Sequence, residues 1–241
     1  MNNLNNTKGT LFGIGVGPGD PDLIPVKSVN ILKKVDIIFA ASSTKNNHSQ
    51  AVNIVKKHLP AQTPLQILPF PMTKDQDISK KSWEKNAKLV IKSIDSGQNA
   101  AFLTLGDPLT YSTYGYILKH IKILSPELKI ETIPGITSYQ AAAASINIPL
   151  MEGEESLLIL SGVNGGDRLR HTKIKPDNVV FMKAYKNTPD IVASIKEAKM
   201  DSTSYGIINC GLPNQEIVPD ITEFSHKKPG YWTLLVAKKE K

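Results

Sequence analysis

The sequence predicts an α/β protein of two domains, the first built on a mainly parallel sheet and the second on a mixed one. Short apolar strands alternate with helical patterns along the chain, which is the rhythm of β-α-β units. Several strands, Ala100–Leu105 among them, are apolar at consecutive positions, as expected where both faces of a sheet are covered. The last strand, Tyr231–Ala237, follows no clear helix, so it is expected to enter its sheet antiparallel.

In order, the first half reads as strand Thr10–Val16, helix Val26–Lys34, strand Asp36–Ala40 and helix Ser49–Leu59. It continues with strand Gln66–Phe70, helix Ile78–Ser96, strand Ala100–Leu105, helix Thr113–Leu124 and strand Lys129–Ile133. The second half reads as strands Ser156–Leu160, Asn178–Met182, Ser204–Ile208 and Tyr231–Ala237, with a helix at Pro189–Ala198. Proline disfavours helix in the residue before it, so Ser125-Pro126-Glu127 is the expected linker, dividing the chain into domains 1–125 and 126–241. No internal repeat or low-complexity segment interrupts this order.

Composition narrows the function. The 241 residues are 40% hydrophobic and 21% charged, the balance of a globular chain. No apolar run approaches the roughly 18 residues a membrane helix needs, and the polar start has no signal-peptide core, so a cytoplasmic, membrane-free protein is expected. Cys210 is the one cysteine, which excludes an intrachain disulfide and a CxxC site. The five histidines show no ligand spacing, and no metal site is expected. The net charge of +7 comes almost wholly from lysine, since Arg168 and Arg170 are the only arginines. A nonenzymatic basic protein that binds nucleic acid is therefore a remote alternative, because base and phosphate readers rely on arginine forks.

Three glycine-containing strand ends carry the chemistry. Gly13-Ile14-Gly15-Val16-Gly17-Pro18-Gly19-Asp20 follows the first strand. It fails the dinucleotide spacing, for the third glycine falls on Pro18 or on Asp20, depending on where the count starts. Pro18 lacks an N–H and Asp20 carries negative charge, which disfavours a phosphate cradle. Two readings remain open: a tight turn, or a loop whose backbone approaches a ligand at a strand's carboxyl end. Leu105-Gly106-Asp107-Pro108 repeats the theme, with Asp107 able to stabilise its own turn. Pro134-Gly135-Ile136-Thr137-Ser138 opens an alanine-rich helix for which Thr137 or Ser138 is the expected N-cap.

Together with a late Phe181-Met182-Lys183 segment and Asn209-Cys210-Gly211-Leu212-Pro213-Asn214-Gln215-Glu216, these motifs resemble the tetrapyrrole (corrin/porphyrin) methylase family over nearly the whole chain. Pro134–Leu150 and Cys210–Ile217 are most similar to its precorrin-2 or cobalt-factor-II C20-methyltransferase branch. The resemblance implies two α/β domains with the active site in the cleft between them. It implies S-adenosylmethionine as methyl donor, a tetrapyrrole substrate in cobalamin synthesis, and a homodimer. Donor-binding positions carried over are Pro18, Leu105, Gly106, Asp107, Thr110, Thr137, Ser138, Met182, Gly211 and Leu212. Gly17, Gly19, Asp20 and Tyr111 are expected at the substrate, with Lys27, Lys45 and Lys183 as partners for its carboxylate arms. The uroporphyrinogen branch ends its second strand with an acidic residue. Here that strand ends Phe39-Ala40-Ala41, so its acid–base scheme does not transfer, and Asp20 is the nearest remaining acidic residue as a catalytic candidate. Within the family, methylation at another ring position, or of ribosomal RNA, is the nearest alternative.

Overall fold

The computed structural model describes residues 8–43, 49–226 and 229–239. The chain forms two compact units that divide between Thr137 and Ser138.

The first unit contains β1 (Leu11–Gly15), α1 (Val26–Leu32), β2 (Ile37–Ser43), α2 (Gln50–Val55), β3 (Leu65–Phe70), α3 (Gln76–Asp95), β4 (Ala100–Thr104), α4 (Tyr114–Leu124) and β5 (Ile130–Ile133). Its sheet runs β3-β2-β4-β1-β5, with every pairing parallel. Consecutive strand residues feed opposite cores, which explains the unbroken apolar runs. Phe39 and Phe102 pack with Val90 and Ile94 of α3 and Ile117 and Ile121 of α4. Ile38 and Leu103 pack with Leu32 of α1 and Ile54 and Val55 of α2 on the other face. Asp75 caps α3 by accepting from the N–H groups of Asp77 and Ile78 at 2.9 and 3.2 Å, so this helix starts two residues before the expected Ile78. The helix expected to reach Leu59 ends at Val55 and tightens into a 3₁₀ turn over Lys56–His58, ahead of Pro60.

The expected boundary at 125/126 falls inside this unit. β5 lies beside β1 in register, Leu11 opposite Ile130 and Ile14 opposite Ile133, so Ser125-Pro126-Glu127 is the turn joining α4 to β5. Ser125 is non-helical, as its place before proline requires, but its carbonyl accepts from Leu128 N–H at 3.1 Å and the chain turns straight back into the same sheet.

The second unit contains α5 (Ser138–Ile146), β6 (Leu157–Ser161), the short α6 (Asp167–Arg170), β7 (Asn178–Met182), α7 (Thr188–Glu197), β8 (Thr203–Ile208), β9 (Glu216–Val218) and β10 (Thr233–Lys238). The order is β6-β7-β10-β8-β9; β6 and β7 are parallel, while β10 runs antiparallel to both β7 and β8. The expected mixed sheet is therefore present, and α6 and β9 are additions to the predicted elements. Phe181 and Leu235 pack under Ile191, Ile195 and Phe224, and Val180, Leu234 and Val236 pack under Ala142 of α5. Arg170 ties α6 to α7, reaching Asp167, Asp190 and Glu197 at 3.2, 2.9 and 2.8 Å. No helix among the described residues is long and apolar enough to cross a membrane.

Candidate functional site

In the first unit, β1 and β4 are neighbours whose connections leave on opposite faces: α1 packs on one face and α4 on the other. Their carboxyl ends form a topological switch point, where open α/β sheets place ligands. The first two glycine bends lie there. Val16 N–H donates to Thr104 O at 3.0 Å, extending the ladder one residue. Gly17 and Gly106 then exchange both hydrogen bonds, at 3.3 and 2.7 Å. Both take left-handed φ values, 81° and 69°, at which a side chain is strained.

The third bend packs against them. A Cβ on Gly135 would lie 2.2 Å from Gly106 O, and one on Gly15 would lie 2.6 Å from Gly135 N. Only bare backbone fits at this contact. Asp107 fastens it: one carboxylate oxygen accepts from Gly135 N–H at 3.1 Å, the other from Leu109 N–H at 2.9 Å and Thr110 Oγ1 at 3.3 Å. The local turn stabilisation expected of Asp107 is present, with a bond to the third bend besides. Beneath, Gly13 makes room for the buried Tyr114 ring, since a Cβ there would meet its Cζ at 2.1 Å. Tyr114 hydrogen-bonds Thr132 of β5 at 2.8 Å, and burial pushes its phenol pKa upward.

Around this floor the predicted residues take different stations. Pro18 and Gly19 are buried, Leu105 is half-buried, and Thr137 is buried immediately before α5. Tyr111 is exposed with φ 49°, on the same loop as the exposed Leu109. Asp20 is exposed and caps a 3₁₀ turn over Pro21–Leu23, accepting from Asp22 N–H at 2.8 Å. Lys27 pairs with Glu131 at 2.6 Å on the exposed surface. Lys45 lies outside the described residues.

The second unit gathers the other predicted positions at one end of its sheet, formed by the carboxyl ends of β7 and β8 and the start of β10. Met182, like Tyr139 and Ala141 of α5, packs against the buried cluster that contains Cys210. Cys210 Sγ reaches Ser138 O at 3.5 Å, so Ser138, Met182 and the loop carrying Gly211 and Leu212 adjoin. That loop is ordered by its own hydrogen bonds: Gly211 N–H donates to Gln215 Oε1 at 2.7 Å, and Leu212 N–H to Asn209 O at 2.9 Å. Gly211 has φ 76° and Asn209 φ 53°. Burial pushes the Cys210 thiol up to about 11.

Residue types alone did not single out Gly15, Thr104, Ser112 or Asn209. Thr104 Oγ1 and Ser112 Oγ lie 2.6 Å apart and hold the start of α4 against the end of β4. The glycine spacing was the available signal for Gly15. Among the described residues no group of three or more metal-ligating side chains occurs. An open hollow of about 490 Å³ along α3, lined by Lys81, Glu84 and Lys88, shares no residue with these bends.

The family description Tetrapyrrole (Corrin/Porphyrin) Methylases matches residues 10–224. A probable cobalt-precorrin-2 C(20)-methyltransferase from Methanocaldococcus jannaschii is 38% identical over 193 residues, covering 80% of each chain. The cobalt-precorrin-2 C(20)-methyltransferase of Salmonella typhimurium is 29% identical over 233 residues, covering 96% of this chain and 97% of its own. Among solved structures, the uroporphyrin-III C-methyltransferase of Thermus thermophilus complexed with S-adenosylhomocysteine has a TM-score of 0.68 at 17% identity, covering 95% of this chain and 92% of that one. The chain belongs to the tetrapyrrole (corrin/porphyrin) methylase family.

Proposed function

We propose that the protein is an S-adenosylmethionine-dependent methyltransferase that methylates C20 of a precorrin-2-type macrocycle in cobalamin synthesis, with the cobalt-loaded form as substrate. The observation that carries this reading is the near full-length match to relatives named for that reaction. The locked glycine bends at a switch point give it a physical basis, because they offer backbone groups and no side chains to a ligand.

The residues present fit such a donor. A Cβ on Gly106 would meet only Ile136 O, at 3.8 Å, so the space beside this bend is open to a ligand. The reading keeps Pro18, Leu105, Gly106, Asp107, Thr110, Thr137, Ser138, Met182, Gly211 and Leu212 as the donor-binding positions. Met182 supplies a polarisable thioether suited to an aromatic face. Asp107 acts through position: it holds two bends in register, and its carboxylate is occupied by three donors.

The donor supplies an electrophilic methyl on a sulfonium. Carbon–sulfur cleavage accompanies formation of the C20–methyl bond, and C20 then gives up its hydrogen as a proton. A meso carbon of a partly reduced macrocycle is electron-rich, so the protein's main task is to hold the reacting atoms in line, about 3–3.5 Å apart. Asp20 is the proposed proton acceptor, with Gly17, Gly19 and Tyr111 beside the substrate. The reading includes a cytoplasmic homodimer. The nucleic-acid alternative is disfavoured by Arg170, which is committed to three carboxylates.

The test is incubation of purified protein with labelled donor and either cobalt-precorrin-2 or precorrin-2. One added methyl at C20 of cobalt-precorrin-2, located by NMR, supports the reading; the same product from precorrin-2 alone overturns the cobalt-loaded assignment, and methyl at another ring position favours the alternative within the family. No labelled macrocycle from either substrate overturns it.

A further inference from the structure

Where β7 and β8 end and β10 begins in the second unit, Tyr185, Tyr231 and Trp232 pack together, with Lys183 and Lys186 on the segment after β7. Ala184 N–H donates to Thr233 O at 3.0 Å and Asn209 N–H to Trp232 O at 2.9 Å, which pins the loops after β7 and β8 to the start of β10. On this pinned backbone Tyr185 and Tyr231 lie with ring centres 4.9 Å apart, and Tyr231 meets Trp232 edge-on at 5.3 Å and 88°. Tyr231 and Trp232 are 45% and 42% exposed, unusual for large rings already packed against one another. Lys186 Nζ stands 5.6 Å from the centre of the Tyr185 ring.

Lys183, directly after Met182, adopts φ 59°. A non-glycine residue is held in this region at a cost, and such positions cluster where a side chain must be aimed. The lysine is half-buried, and that burial lowers its pKa.

We propose that Tyr231 and Trp232, flanked by Lys183 and Lys186, form the platform that receives the tetrapyrrole, one ring lying along the macrocycle face and the other meeting it edge-on while the lysines take its carboxylate arms. The inference rests on the methyltransferase reading and adds to it a substrate surface in the second unit. Perpendicular rings suit a flat π system, because stacked and edge-on contacts are both favourable. The charge pattern points to the macrocycle and not to the donor: a rim of acetate and propionate arms presents several anions to the two lysines, whereas the donor carries one carboxylate beside an ammonium and a sulfonium.

The experiment compares Tyr231→Ala and Trp232→Ala with Tyr231→Phe and Trp232→Phe in the full chain. For the alanine variants KM for cobalt-precorrin-2 is expected to rise roughly tenfold, while the phenylalanine variants stay within about twofold of wild type. Calorimetric affinity for S-adenosylhomocysteine is expected to be unchanged in all four. Wild-type KM in both alanine variants overturns the inference, as does weakened S-adenosylhomocysteine binding at unchanged KM, or dissociation of a dimer in place of a KM effect. If the alanine variants do not fold, Trp83→Phe leaves Trp232 as the single indole. Saturating cobalt-precorrin-2 should then shield its emission from acrylamide, and unaltered quenching refutes the platform. Wild-type protein that neither binds S-adenosylhomocysteine nor methylates the macrocycle sinks the functional reading itself, whereas an active enzyme indifferent to Trp232→Ala sinks the platform alone.

Discussion

Replacing Gly135 by alanine tests whether the three bends act as one assembly. The added Cβ would lie 2.2 Å from Gly106 O and 2.9 Å from both Gly15 Cα and Gly15 C, where ordinary contact begins near 3.4 Å. Backbone must therefore move by about 1.2 Å, and neither neighbour is free to do so. Gly106 is held by its reciprocal bonds to Gly17, and Gly15 lies in β1 between β4 and β5. Overpacking of this kind costs about 1–3 kcal/mol. At roughly 2–4 °C per kcal/mol for a chain of this size, Tm should fall by about 2–12 °C. Displacement of that order at a reacting centre also lowers kcat/KM by about a hundredfold. The assays are thermal denaturation followed by circular dichroism, calorimetry with S-adenosylhomocysteine, and steady-state kinetics. A Gly135→Ala protein with wild-type Tm and wild-type affinity for S-adenosylhomocysteine would refute the argument.

Gly115 provides the opposite case: it lies exposed in α4, and a Cβ added there would meet nothing within 4 Å, so Gly115→Ala should stabilise by about 0.5–1 kcal/mol in urea titration. Asp107→Asn replaces one accepting oxygen by an amide donor facing N–H groups; a loss of about 1–2 kcal/mol is expected, and unchanged denaturation would mean that the bends do not depend on this side chain. Asn caps as well as Asp, so Asp20→Asn keeps the 3₁₀ turn while removing a base; kcat should drop about a hundredfold with KM little changed, and an unaltered kcat would confine Asp20 to capping. Burial raises the Cys210 thiol from 9.0 to about 11. The native thiol stays protonated longer than the unfolded one, so its contribution to stability is intact below pH 9 and declines as pH rises from 9 toward 11. At pH 8 a disulfide reagent should label the folded protein far more slowly than the urea-unfolded chain, and equal rates would contradict the burial.

Strands were the most legible part of the chain, and β4 and β7 show why. Ala100–Thr104 and Asn178–Met182 are fully or almost fully buried, and a strand covered on both faces has to be apolar at successive positions. The boundary at Pro126 misled because a proline after a helix looks the same in a linker as in an α-to-β turn. What separates the two is the pairing of β5 with β1, a contact across more than a hundred residues of sequence. β9 has three residues, too few for a pattern, and α6 is held by the ion pairs of Arg170 with α7. At the site, each bend was visible as glycines at a strand end. Their mutual contact depends on β4 inserting next to β1, which local sequence does not encode. The pairing of Lys27 with Glu131 was equally invisible, since the partners lie on different elements.

The floor where Gly15, Gly106 and Gly135 meet has an evolutionary corollary. A surface made of main chain offers little that a single codon change can retune, because a side chain at Gly15 or Gly135 collides with neighbouring backbone and one at Gly106 is strained by its left-handed φ of 69°. New specificity on this scaffold is therefore expected from side chains around the floor, such as those of Leu109 and Tyr111. Variant libraries confined to such positions should yield altered substrate ranges, while libraries at the glycines return mostly inactive protein.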